Sequence, residues 1–127
     1  MDNNFKHMNT EVLAYMGDAV YEQTVREKLI LEGGVRVDSL HHQAIGYVNA
    51  EAQAKAIKEI IDDLPEDEQA LVKRARNHKF HSKAKHADPV TYKWATAFEA
   101  LVGYYYLAGE KEKLDSLMER AFSIIGG

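Results

Sequence analysis

Apolar positions recur along most of the chain at three- and four-residue intervals, and strand-like alternation is hard to find, so the pattern predicts helices throughout. The first helix begins near Asn9 or Thr10, either of which can cap it, and stops at Gly33-Gly34. Asp38 or Ser39 is expected to cap a short helix ending near Val48, and Asn49 a further one running to about Asp62. Leu64-Pro65 breaks the chain before a fourth helix, from Glu66 to about Arg76. An irregular basic stretch follows. Asp88-Pro89 joins an N-cap to a proline at the first helical position and opens a long helix ending at Gly109. A last amphipathic helix covers about Lys111 to Ile125. No internal repeat, linker or low-complexity tract interrupts these elements, so the expectation is one all-α domain over residues 1–127, with its core at about 10–125.

Composition narrows the chemistry. A chain of 127 residues can bury roughly two-thirds of its unfolded surface. It has no cysteine, which excludes disulfides, thiolate zinc sites and a thiol nucleophile. The opening MDNNFKHMNT lacks a basic region followed by an apolar core, and no later apolar run is long enough to span a bilayer. A soluble, cytoplasmic protein without a membrane partner is expected. The net charge of -4 argues against a globally basic surface but leaves open where the charges lie.

Two apolar segments each carry one acid. Asp18 is the only charge in VLAYMGDAV, residues 12 to 20, and Glu99 the only one in WATAFEALVGYYYLA, residues 94 to 108. Both segments are expected to be buried, and a carboxylate there must be protonated, paired with a cation or bound to a metal. The small residues Gly17, Thr96 and Gly103 nearby let a partner backbone come close. Glu11 and Glu22 extend an acidic stripe along the first helix, either as part of a site or as a solvated edge. From the residues alone, a pairing with lysine or arginine and a metal site both stay open. Mg2+ suits two acids, since it is commonly held by one or two carboxylates plus water and substrate phosphate. Such an ion would activate water for attack on phosphorus and neutralise charge on the phosphate and the leaving oxygen.

The basic side chains are unevenly placed. Lys73, Arg74, Arg76, Lys79, Lys83 and Lys85, interleaved with His78, His81 and His86, fall in a stretch without acids. They read either as a solvated helix end and loop or as a contact for a polyanion, where phosphate neutralisation would give steeply salt-dependent affinity. The lysines among the three histidines would repel a cation, so these are not read as a metal cluster. His41 and His42 are adjacent and point apart, which makes them surface or interface residues.

The string EVLAYMGDAVYE, residues 11 to 22, resembles the signature of the ribonuclease III catalytic domain, and TAFEALVGYYYL, residues 96 to 107, resembles its second acidic motif. With LHHQAIGYVNAEAQA and KRARN between them, the chain resembles the Mini-ribonuclease III group of that family over about residues 10 to 125. The resemblance implies an all-helical homodimer with the signature helices near the subunit interface. It implies an endoribonuclease that cuts double-stranded RNA with Mg2+, Mn2+ substituting, and matures precursor 23S ribosomal RNA, with a ribosomal protein as a candidate presenter of the substrate. Carried over by motif, Asp18 and Glu99 are the catalytic, metal-binding pair. Full-length relatives place further acids where Ala14 and Thr96 stand here. That departure motivates the alternative expectation, a catalytically inactive helical RNA-binding or ribosome-assembly factor. The separate double-stranded-RNA-binding domain of larger relatives is not found in these residues, so Lys73, Arg74, Arg76, Lys79, Lys83 and Lys85 become the expected RNA clamp.

Overall fold

The computed structural model describes residues 4–78 and 88–127, and these form six helices with two short 3-10 turns. The helices are α1 (Thr10–Leu31), α2 (Val37–Val48), α3 (Ala50–Ile60), α4 (Glu66–Asn77), α5 (Pro89–Leu107) and α6 (Lys111–Gly126). Among the described residues there is no strand. No helix there is long and apolar enough to cross a membrane.

Local chemistry sets most boundaries. The Asn9 side chain accepts from the Glu11 N–H at 2.8 Å, so Asn9 caps α1 and Thr10 turns inward. Asn49 caps α3 through the Ala52 N–H at 2.8 Å. Asp88 caps α5 by accepting from the Val90 and Thr91 N–H groups, with Pro89 at the first helical position. α5 ends two residues before Gly109, whose φ of +73° turns the chain toward α6. The second helix departs from expectation. It starts at Val37 with Arg36 at the cap position and no side-chain cap, because the Asp38 carboxylate accepts from its neighbour Ser39 instead of closing the helix end. The third helix gives way at Ile61 to a 3-10 turn through Asp63. A further 3-10 turn, Asn4–His7, was not expected from the pattern. Arg74 on α4 holds it by donating to the Lys6 and Met8 carbonyls at 2.6 and 3.2 Å.

α5 is the axis of the fold. It packs against α1, α3, α4 and α6, and from Ala95 to Tyr105 every residue except Glu99 is buried. A helix apolar nearly all round is stable only when neighbours enclose it. Leu13, Tyr21 and Val25 of α1, Ile57 of α3 and Leu71 and Val72 of α4 supply that enclosure.

The α1–α5 crossing is closer than side chains would permit. A Cβ built on Gly17 would lie 1.7 Å from the Glu99 carbonyl oxygen, and one on Gly103 would lie 1.9 Å from the Leu13 carbonyl oxygen. The two backbones are therefore in direct contact. Overpacking a core costs about 1–3 kcal/mol when side chains can yield, and here the obstacle is main chain. Gly17→Ala and Gly103→Ala are each expected to destabilise the protein by more than about 3 kcal/mol, read as a collapse of the thermal melting transition. A melting temperature unchanged in either variant would contradict this crossing.

Candidate functional site

The glycine contact places Asp18, the residue after Gly17, against Glu99, whose own carbonyl faces Gly17. Burial differs between the two. Asp18 is exposed, contrary to the expectation that both apolar segments bury their acid, because it sits on the solvent edge of α1 while Leu13, Ala14, Gly17 and Tyr21 face inward. Glu99 is half-buried, with the Asp18 carboxylate on one side and the Gln53 side-chain amide on the other.

This setting pushes the Glu99 carboxyl up to about 9. Burial is the largest cause, followed by the charge and hydrogen bonding of Asp18, while the Gln53 amide opposes the shift. Glu22, one turn along α1, adds a smaller repulsion. Among the described residues neither Asp18 nor Glu99 has a lysine or arginine within ion-pair distance, so the cation-paired alternative is not realised. The remaining acids of the α1 stripe are engaged elsewhere. Glu11 Oε1 lies 3.0 Å from His78 Nε2, and Glu22 pairs with Arg26 at 3.6 Å.

The donor set fits a divalent cation. Two adjacent carboxylates repel each other until a cation joins them, and the buried Gln53 Oε1 has no hydrogen-bond partner. Among the described residues no group of three or more His, Asp or Glu side chains gathers into a closed cage. The set is sparse by construction. Ala14 is buried in the core, and Thr96 is buried with its hydroxyl donating to the Tyr92 carbonyl at 2.9 Å, so neither position supplies charge.

Gln53 is the site residue that the hydrophobic pattern alone did not bring forward. Its signal was present, since it occupies the buried stripe of α3 with Ala54, Ala56, Ile57 and Ile60, where a large polar side chain needs a partner. Its amide N–H donates to the Val48 carbonyl at 2.8 Å.

The basic residues divide. Lys73 is exposed, Arg76 lies over the Trp94 ring, and Arg74, also exposed, donates to the Lys6 and Met8 carbonyls. Lys79, Lys83 and Lys85 lie outside the described residues.

Comparison with known proteins follows this geometry. Residues 11–110 match the Ribonuclease III domain. The chain is 47% identical over 119 residues to the Mini-ribonuclease 3 of Brevibacillus brevis, covering 94% of this chain and 89% of that one. It is 50% identical over 113 residues to the Mini-ribonuclease 3 of Symbiobacterium thermophilum, covering 89% and 87% respectively. An X-ray crystal structure of a protein from Fusobacterium nucleatum superposes with a TM-score of 0.83 at 30% identity, over 94% of this chain and 96% of that one.

The raised Glu99 carboxyl has a measurable consequence. The folded protein keeps a proton that the unfolded chain releases above its ordinary value of 4.5, so stability without metal falls as pH rises from there to about 9. Glu99→Gln is expected to remove that slope and to raise the melting temperature at pH 8 by on the order of 3–10 °C. Equal pH slopes in the two proteins, measured in chelator, would contradict the coupled pair.

Proposed function

The chain belongs to the ribonuclease III family, and from that premise we propose that Asp18 and Glu99 bind Mg2+ and carry the cleavage of double-stranded RNA. The protein is a ribonuclease, an endonuclease that hydrolyses phosphodiester bonds. The observation that carries the site assignment is the contact of two carboxylates with no lysine or arginine among the described residues to balance them.

Each residue has a distinct part. Asp18, exposed on α1, faces solvent and an incoming phosphate, while Glu99 is recessed and oriented by Gln53. Glu99 holds a proton on its carboxyl at neutral pH until a cation displaces it. A bound divalent ion supplies Lewis acidity and neutralises charge on the phosphate. Oxygen-only donors favour Mg2+, with Mn2+ as a substitute. In hydrolysis, water adds to phosphorus and one P–O ester bond breaks. We assign precursor 23S ribosomal RNA as the substrate, presented by a ribosomal protein in the cytoplasm.

A homodimer accounts for the exposed apolar face beside the site. Tyr15, one turn before Asp18, and Val12, nearly two turns before it, are 82% and 47% exposed, unusual for large apolar side chains. Further along α1, an open groove between α1 and α2 is lined by Leu29, Ile30, Val37, Leu40 and Ile45, with Glu22, Arg26 and His41 also in its wall. Two copies joined along α1 bring two carboxylate pairs to one duplex. Lys73, Arg76 and, outside the described residues, Lys79, Lys83 and Lys85 serve as phosphate contacts. Arg74 is assigned to the same clamp through its position, with its guanidinium anchoring the first turn of the chain.

Asp18→Asn is expected to lower cleavage of a labelled RNA duplex in Mg2+ by on the order of a thousandfold, since a metal site contributes several kcal/mol to the transition state. Undiminished cleavage would remove the role given to Asp18. Tyr15→Arg is expected to convert the dimer to a monomer in light scattering at micromolar concentration. A monomeric wild-type protein would refute the dimer.

A further inference from the structure

The described cations are segregated by whether an acid balances them. Every described lysine and arginine outside α3, α4 and α5 has a carboxylate within 3.6 Å. Those on the three helices, Lys55, Lys58, Lys73, Arg74, Arg76 and Lys93, have none at ion-pair distance among the described residues. The same three helices also carry six acids, Glu51, Glu59, Glu66, Asp67, Glu68 and Glu99, so what sets these six cations apart is local, the lack of a carboxylate in direct contact among the described residues.

Two of these cations share one aromatic ring. Lys58 Nζ lies 5.8 Å and Arg76 Cζ 4.9 Å from the centroid of Trp94, the single tryptophan of the chain. Lys58 is exposed, while Trp94 and Arg76 are half-buried. Asp88, close enough for the charge of Lys58 to act weakly on it, is committed to its cap, accepting from Val90 and Thr91 rather than pairing with Lys58. The ring attracts both cations through its quadrupole without neutralising them. It therefore holds two side chains in place while leaving their charge available to an anion, which reduces the ordering entropy lost on binding.

The position relates to the catalytic pair. Gln53 of α3 meets Glu99 of α5, and Lys58 of α3 meets Trp94 of α5. Each contact lies five residues from the other along its helix, an axial step of about 7.5 Å. The same helix pair thus carries both.

We propose that Lys58 and Arg76, held on Trp94, form a phosphate-contact site that extends the RNA track beyond the carboxylate pair. This rests on the reading that the substrate is duplex RNA, which presents phosphates and 2'-hydroxyls rather than base edges to a protein surface. Trp94 acts as the platform for the two cations, not as a stacking partner for paired bases.

The test uses a 20-base-pair RNA duplex in chelator, so that binding is read without cleavage. Trp94 emission is expected to change saturably on titration. Lys58→Gln is expected to raise Kd several-fold and to reduce the slope of log K against log salt by about 1, and Arg76→Gln to do the same. Lys111→Gln, an exposed α6 residue already paired with Asp115, is expected to change neither. Because Lys58 is exposed, its variant should melt with wild type, which separates lost contact from lost fold. Wild-type Kd and slope in Lys58→Gln, or unchanged Trp94 emission at saturation, would overturn the proposal while duplex cleavage in Mg2+ left the enzyme reading standing. A wild-type protein that neither binds nor cuts the duplex would overturn both.

Discussion

Gly17 and Gly103 remove the two Cβ atoms that would otherwise hold α1 and α5 apart, and the remaining geometry depends on that contact. With the backbones touching, the residue after Gly17 and the residue four before Gly103 are brought together whatever their chemistry. Those residues are Asp18 and Glu99. Interhelical axes held apart by ordinary core side chains are about 8–10 Å distant, and the absence of a Cβ at both positions lets the backbones approach one another directly. The small residues thus serve the site by setting its spacing rather than by opening it to solvent.

Electrostatics then acts on what packing has assembled. A carboxyl that is half-buried beside another carboxylate binds a proton far more tightly than in water, which is why Glu99 titrates near 9. Among the described residues the fold keeps this unfavourable pair without a compensating lysine or arginine, although seven helical or flanking cations elsewhere find acids. A half-buried carboxyl beside a second one, unbalanced among the described residues, is a candidate position for binding rather than a contributor to the stability of the fold. Gln53 tempers the repulsion from the third helix, so the site is drawn from three elements distant in sequence.

Charge is arranged on the same principle at larger scale. The described cations of α1, α6 and the flanking turns each pair with an acid, whereas among the described residues those of α3, α4 and α5 have no carboxylate at ion-pair distance. Arg74 has a structural part within the basic run, since its guanidinium, though exposed, ties the first described turn to α4. Arg76, two residues on, is held by an aromatic ring and has no carboxylate at ion-pair distance among the described residues.

The amino-acid pattern by itself determined the helical architecture, because Asn9, Asn49, Asp88-Pro89 and Gly109 act through hydrogen bonds and backbone angles within a few residues of themselves. It failed at Asp38, where a carboxylate had two nearby donors to choose from, and the local competition decided for Ser39. It singled out Asp18 and Glu99 through their isolation among apolar residues and through their motifs, but it placed both in the interior. Which side of α1 faces inward depends on the crossing with α5, and that crossing left Asp18 in solvent. The partnership of Gln53 with Glu99, and of Lys58 and Arg76 with Trp94, was decided only by tertiary structure, since each joins helices whose proximity no local interaction encodes.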